Sequence, residues 1–481
     1  MLALIVGFLG MMGNSQADTV SVPTDSSRVL TVNRVLIIGN KVTKEKIISR
    51  EITLKPGDTI TLKRLPHELL WDKRKIYNLR LFHTVSVRAL EMPNNIIDLL
   101  VEVSERWYTF PIPIFELSDR NFSEWWRNYN HDPSRVNYGL NLTRYNFRGR
   151  YETLQFTAQF GFTPRYELSY RIPYIDKKQK QGLSISFDYS EPKNLAYFTE
   201  NHVLKYLHSN DSKPLKITKG VSVSYQYRKS FFETHSVQIG YRDSQISYKI
   251  DSANSNYYGD HRLALKYGFA GYSFNSEHRD VVQYPLRGYN VNGYIQKTGL
   301  GFGSDVNLLE IGLGFARHFA LRKNLFLSNY TGAYWATPTS QPYALYSGMG
   351  YKKHYVRGYE PYVVETPSLA LNKTTLKTRI FHRVWTIDWL PPEQFKYFPL
   401  SIYLKTFTDW GYAVNYPYYE NYKDPSTSLI SEINTRFTDK LIGGYGMGLD
   451  FVVVYDIVIR TEYTFTNQNH RGFFLSLKKE F

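Results

Sequence analysis

From Trp107 to the last residue, nearly every segment of the chain alternates apolar and polar side chains. Leu154, Phe156, Ala158, Phe160 and Phe162 are separated by Gln155, Thr157, Gln159 and Gly161. Leu183, Ile185, Phe187 and Tyr189 interleave with Ser184, Ser186, Asp188 and Ser190, and Val221, Val223, Tyr225 and Tyr227 with Ser222, Ser224 and Gln226. A period of two sends successive side chains to opposite faces of a strand, so each segment carries one apolar and one polar face. A soluble sandwich shares that period. The alternation here persists to the C-terminus, aromatics gather near strand ends, and the second face is polar throughout, which is the pattern of a barrel with a wet interior and a lipid-facing wall. At about ten residues per strand, residues 107–481 accommodate about sixteen antiparallel transmembrane strands.

Composition supports that reading by exclusion. No apolar run approaches the roughly 18 residues that a membrane helix needs, and mean hydropathy is negative. A helical membrane protein is excluded, whereas barrel strands need an apolar residue only at every second position. The 41 tyrosines and 29 phenylalanines, against six methionines, suit a wall that meets water at both ends. With no cysteine among 481 residues, neither a disulfide framework nor a thiolate metal site is available. The net charge of +16 is scattered over strands and turns without a compact basic run, so it reads as solvated loops and a basic lumen, with no nucleic-acid partner.

The N-terminal part is organised differently. Leu2 to Met12 is apolar but too short to span, and Ser15-Gln16-Ala17 supplies small residues for a signal peptidase, so residues 1–17 read as a signal peptide and 18–28 as a linker. No Lys or Arg precedes the apolar stretch, so either the true start lies upstream or the signal is atypical. Residues 29–105 then read as one small α+β domain. Val29 to Ile38 is a strand ending at the Gly39-Asn40 turn; Thr43 is placed to cap a helix from Lys44, which Pro56-Gly57-Asp58 stops. A second helix is expected over Leu62 to Tyr77, with Leu65, Leu69, Leu70, Trp71 and Ile76 near one face, followed by strands Phe82 to Leu90 and Ile96 to Val103 across Pro93-Asn94-Asn95.

This β-α-α-β-β order, with Ile37-Ile38-Gly39-Asn40 in the first strand and its turn and Leu79-Arg80-Leu81-Phe82 before the second strand, resembles a POTRA (polypeptide-transport-associated) domain. The latter segment departs from the usual glycine-x-phenylalanine sequence. The resemblance implies a periplasmic domain whose sheet edge pairs with an extended client strand.

Two motifs in the barrel segment point the same way. Val356-Arg357-Gly358-Tyr359 follows a glycine- and tyrosine-rich stretch, Gly348 to Tyr355, and some fifty residues on Phe407-Thr408-Asp409-Trp410-Gly411 lies in a strand. Together they resemble the paired signature of the BamA/TamA-like superfamily of outer-membrane assembly and translocation proteins. The resemblance implies that the arginine loop folds into the lumen and its guanidinium meets the strand's aspartate, with Gly358 and Gly411 permitting close approach. A permanently charged planar fork does favour a carboxylate there. Arg279-Asp280 followed by Tyr284-Pro285-Leu286-Arg287-Gly288 is similar to a turn found in related barrels, although Val281-Val282-Gln283 replaces the commoner asparagine after the aspartate.

Trp107 to Leu117 is expected as the first barrel strand, pairing with a second near Tyr138 to Tyr145. Pro111 and Pro113 cannot donate ladder hydrogen bonds, and being two apart they weaken one edge. If that edge faces the last strand, the barrel seam is loose; alternatively, strand pairing simply begins after Pro113. On the other side of the seam Phe473, Leu475, Leu477 and Phe481 share a face, interrupted by Lys479. This ending resembles the terminal strand signal of outer-membrane barrels.

No H-E-x-x-H, G-x-S-x-G or G-x-x-x-x-G-K-[ST] motif is present, the twelve histidines show no supported pair at metal-ligand spacing, and Gly443, Gly444, Gly446 and Gly448 lie in a strand-like run without βαβ context. The chain is therefore expected to be no enzyme and to need no cofactor or metal. The expected function is ATP-independent assembly, insertion or translocation of unfolded outer-membrane or secreted polypeptides, with outer-membrane lipid and periplasmic or lipoprotein accessory subunits as further partners. The rival readings are a non-catalytic scaffold subunit of an envelope complex, a porin-like channel and a lumenal hydrolase.

Overall fold

The computed structural model describes residues 27–117, 133, 136–209, 213–301, 304–351, 354–386, 396–417, 434–453 and 457–479. The expected signal peptide (1–17), most of the linker and Phe481 lie outside the described residues, as does the side chain of Leu477.

The N-terminal domain comprises β1 (Val29–Ile38), α1 (Glu45–Ser49), β2 (Thr59–Thr61), α2 (Leu65–Asn78), β3 (Phe82–Met92) and β4 (Ile96–Glu105). The sheet order is β2-β1-β4-β3, with β1 and β4 parallel at its centre. Leu30, Val32, Ile97, Leu99 and Val101 turn one face of it onto Ile47, Ile48, Leu65 and Ile76 of the helices, closing a dry core.

The structure departs from the expectations in four places. The short strand β2, which pairs Ile60 with Leu30, was not foreseen, and α2 begins at Leu65 rather than Leu62, with Pro66 in its first turn. Thr43 does not cap α1: Lys44 holds the N-cap position, while the Thr43 hydroxyl donates to the Glu105 carboxylate at 2.6 Å. That carboxylate already accepts the Thr43 backbone N–H, so it outcompetes the helix end. Leu70 is exposed, because the buried stripe of α2 runs through Leu65, Asp72 and Ile76, and Trp71 faces the barrel, 5.8 Å from the Phe232 ring.

Among the described residues the barrel wall has sixteen antiparallel strands. They are β5 (Thr109–Leu117), β6 (Val136–Phe147), β7 (Glu152–Gly161), β8 (Arg165–Ile172), β9 (Gln181–Ser190), β12 (Lys216–Arg228), β13 (Glu233–Ile246), β14 (Ala264–Glu277), β15 (Gly288–Leu300), β16 (Leu308–Arg322), β17 (Leu325–Thr337), β20 (Ser368–Thr386), β21 (Tyr397–Ala413), β22 (Leu441–Val452), β23 (Ile457–Thr466) and β24 (Arg471–Lys479). The hairpin β10 (Asn194–Glu200) and β11 (Val203–His208), the short helix α3 (Tyr248–Ala253) and the pair β18 (Gly348–Met349) and β19 (Val364–Glu365) belong to loops at the end away from the N-terminal domain, here the far end.

Alternation has the expected consequence. Phe156, Phe187, Val221, Tyr225, Val237 and Ile239 are exposed on the outer wall, and the intervening positions turn inward. Phe162 is an exception: β7 ends at Gly161, which has a φ of +96°, and Phe162 lies beyond it, buried. Among the described residues no helix is long and apolar enough to cross a membrane, a fact that says nothing about a barrel.

Candidate functional site

In β21 the inward positions Tyr403, Lys405, Phe407, Asp409 and Gly411 are buried while Leu404, Thr406, Trp410 and Tyr412 are exposed. That register aims Asp409 into the lumen near the far end of the strand. The loop between β17 and β20 turns back to meet it. Arg357 donates from Nε to Asp409 Oδ2 at 2.7 Å and from Nη2 to Oδ1 at 2.5 Å, and its backbone N–H also reaches Oδ2 at 3.2 Å. Nη2 also donates to Thr375 Oγ1 at 3.0 Å, and the guanidinium lies 3.8 Å from the Phe407 ring centroid. Asp409 is 0% exposed, so this is a desolvated bidentate pair whose partners each depend on the other.

The neighbours of Arg357 explain the glycines around it. Val356 is fully buried, and the Tyr359 hydroxyl donates to Asn467 Oδ1 at 2.8 Å. Gly358 has a φ of +93°, and a Cβ there would stand 2.7 Å from Thr466 Cγ2. A Cβ on Gly444 would meet the Arg357 carbonyl oxygen at 1.8 Å, so β22 must be bare where the loop crosses it. At Gly411 the obstacles are side-chain tips, Val356 Cγ2 at 2.7 Å and Met349 Cε at 2.9 Å.

Several functional candidates escaped the sequence reading. Glu462 on β23 places Oε1 3.5 Å from Arg357 Nη1 and 2.7 Å from Lys405 Nζ, and Lys405 in turn sits 2.5 Å from Asp450 on β22. Asp450 also accepts the Tyr284 hydroxyl at 2.8 Å. Tyr284 belongs to the 278–287 turn, so that turn enters the lumen from the end that carries the N-terminal domain. Asp280 holds the turn by accepting the Leu286 and Arg287 N–H groups at 3.1 Å each. Charged residues at inward positions were a legible signal in Lys405, Asp450 and Glu462; their partnership was not.

Above this network, loops at the far end pack into a core that includes Tyr257, Tyr258, Tyr343, Tyr346, Met349, Val364 and Phe437. The β10–β11 hairpin is pinned there: His202 packs on Phe437 with ring centroids 4.5 Å apart, and its Nδ1 lies 3.1 Å from the Val363 carbonyl oxygen.

At the seam, β5 pairs with β6 along its whole length, Thr109 opposite Arg144 through Leu117 opposite Val136. Tyr145 N–H donates to Tyr108 O at 2.8 Å, so 108/145 is a hydrogen-bonded pair. In an antiparallel ladder such pairs alternate, and 110, 112 and 114 therefore bond to β6 while the backbone nitrogens of 109, 111, 113, 115 and 117 face the other way. Pro111 and Pro113 thus fall on the open edge. Among the described residues no strand pairing joins β5 to β24, the last strand of the sheet. Phe473 and Leu475 of β24 are both exposed outward, at 66% and 69%.

The N-terminal domain is clamped to the barrel. Glu51 accepts a bidentate pair from Arg228 at 2.7 and 2.9 Å, the Arg50 guanidinium lies 3.7 Å from the Tyr174 ring centroid, and Lys44 N–H donates to Gly149 O at 2.9 Å. Tyr108, at the start of the barrel segment, is buried in the domain's own core and donates to Leu81 O at 3.0 Å.

Comparison with known proteins agrees with this architecture. The family model described as POTRA, surface antigen variable number repeat, matches residues 30–106. No curated protein matches the sequence. Among solved structures, BamA from Haemophilus ducreyi lacking POTRA domains 1-3 superposes with a TM-score of 0.51 at 13% identity, over 92% of this chain and 83% of that one. CdiB from Escherichia coli gives 0.52 at 10% identity, over 93% and 74%. The chain thus shares the fold of these two barrels, and its described residues place one POTRA domain in front of a sixteen-stranded barrel wall.

Proposed function

We propose that this chain inserts polypeptides into the bacterial outer membrane through its barrel seam, with the POTRA domain on the periplasmic side and without ATP. The observation that carries the reading is the seam itself. The open edge of β5 lacks N–H donors at Pro111 and Pro113, and β24 offers it no ladder, so a client strand meets little competition there. Strand β3, the longer of the two outer strands of the POTRA sheet, is the surface on which an extended client would first add. The energy comes from the client's own strand pairing and apolar burial.

The state of the lumen favours lateral insertion over passage through the barrel. The Arg357 network and the aromatic core above it stand between the barrel interior and the far end, where a steadily conducting porin needs an open path. Arg357 and Asp409 act in this reading as a lock that keeps the inserted loop in place while the seam works.

Reconstitution tests the proposal directly. Liposomes containing the full chain and no nucleotide should convert a urea-unfolded outer-membrane barrel client into a heat-modifiable, protease-resistant form faster than empty liposomes. Equal rates would refute insertion. Depletion in cells followed by outer-membrane proteomics then separates general assembly, in which many barrels fall, from dedicated handling of one client; a proteome without change would favour the scaffold reading.

A further inference from the structure

A cavity of about 240 Å3 lies where α2 of the POTRA domain meets the mouth of the barrel. Its barrel-side lining includes Arg171, Gln226, Arg228, Thr234 and Glu277, all at inward positions of their strands, so it belongs to the lumen mouth and not to the lipid face. Trp71, Tyr151, Tyr174, Phe231 and Phe232 supply aromatic walls.

The charges of the lining do not balance. Arg74, Lys75, Arg171, Lys180, Arg228 and Arg279 face only Glu51 and Glu277. Both carboxylates are engaged, Glu51 by Arg228 at 2.7 Å and Glu277 by Arg279 Nε at 2.6 Å, while Lys75 is paired with Asp72 at 2.7 Å just outside the lining. Among the described residues Arg74, Arg171 and Lys180 have no carboxylate at ion-pair distance. Arg74 and Arg171 instead lie 5.5 Å from the Trp71 and Tyr151 ring centroids. Asn78, also on the lining, has a buried Oδ1 that accepts no hydrogen bond.

We infer that this cavity binds a phosphate-bearing anion, held between Arg74 of the POTRA domain and Arg171 and Lys180 of the barrel, and that binding it fixes the docked position of the domain. Three surplus cations around one cavity repel one another, and a multivalent anion reverses that. Guanidinium forks match phosphate oxygens, and a singly protonated phosphate can also donate to Asn78 Oδ1. A carboxylate brings one charge, two acceptors and no donor, so it fits less well. Because the cations come from both domains, the site is complete only when they are docked, and a ligand of that state must favour docking. The inference stands independently of the insertion reading.

The test uses the full chain in detergent at low ionic strength, titrated calorimetrically with inorganic phosphate and with pyrophosphate. Saturable binding at one site is expected, weakened by about tenfold or more in Arg74→Gln and in Arg171→Gln, and unchanged in Lys323→Gln, which lies in the turn between β16 and β17. Displacement by dihexanoyl phosphatidic acid would assign the natural source to a lipid headgroup; binding that resists it would assign a free phosphate compound. Since the chain has no cysteine, spin labels at Lys63→Cys and Lys323→Cys report docking, and phosphate should narrow their distance distribution. Non-saturable heats, an equal loss in Lys323→Gln, or binding of pentaglutamate but not phosphate would overturn the site. An unchanged distance distribution would overturn its docking role.

Discussion

Asp409→Asn isolates the charge of the lumenal pair with almost no change of shape. In the folded chain Asp409 is fully buried and accepts three N–H groups of Arg357, two from the guanidinium and one from the backbone. Removing one member of such a pair costs about 3–5 kcal/mol, mostly because the other charge is left desolvated. Two features place the cost at the lower end. The amide still accepts a hydrogen bond, and Glu462 remains 3.5 Å from Arg357 Nη1. A loss of about 3 kcal/mol corresponds to about two orders of magnitude in the docked-to-undocked ratio of the loop. Amide hydrogen exchange over residues 343–359 of the detergent-folded protein should accelerate accordingly, with heat-dependent gel mobility showing that the barrel itself is folded. Arg357→Gln in the Asp409→Asn background should add much less than it costs alone. If Asp409→Asn exchanges within threefold of the parent while folded, the pair does not hold the loop.

Two further predictions concern the seam and the far end. Replacing both prolines, Pro111→Val with Pro113→Val, restores two donors to the open edge of β5; at about 1 kcal/mol per hydrogen bond the seam should tighten by about 2 kcal/mol and client insertion into liposomes should slow severalfold, and an unchanged rate would sink the seam hypothesis. His202, lying in a loop hairpin, has its pKa lowered to about 4, first by burial and then by the nearby Arg436 charge, against a contribution from Val363 that raises it. The unfolded imidazole therefore takes up its proton at higher pH than the folded one, so stability is complete above about pH 6.5 and declines as pH falls toward 4; at pH 5 the loss is about 2 kcal/mol. Phe437 N–H donates to His202 Nε2 at 3.3 Å, a bond that protonation removes. Hydrogen exchange of residues 194–208 should rise between pH 7 and pH 5 and lose that pH dependence in His202→Gln; identical pH profiles would refute the assignment.

The reach of the sequence differs from one element to the next. The strands expected over Val29 to Ile38, Phe82 to Leu90 and Ile96 to Val103, which the structure extends to Met92 and Glu105, follow from local patterns, as does a wall of about sixteen strands, because a period of two is written into consecutive residues. The three-residue strand β2 is too short to carry a period, and Thr43 was assigned as a cap because its competitor, Glu105, lies 62 residues away. At the candidate site, Arg357 and Asp409 stand in paired motifs, whereas Glu462, Lys405 and Asp450 carry no motif and become neighbours only through strand register; Tyr284 stands in a motif, but nothing in that motif shows that its turn reaches Asp450.

What the sequence determined by itself is therefore which residues alternate, where turns interrupt them, and that Pro111 and Pro113 lack the same kind of donor. The tertiary structure decided which way those missing donors point, which carboxylates share Arg357 and Lys405, and how Glu51 of the POTRA domain clamps Arg228 of the barrel. The physical reason is register. Each of these contacts joins residues from different strands or domains, and sliding one strand by a single residue would turn every inward side chain outward while leaving the sequence pattern unchanged.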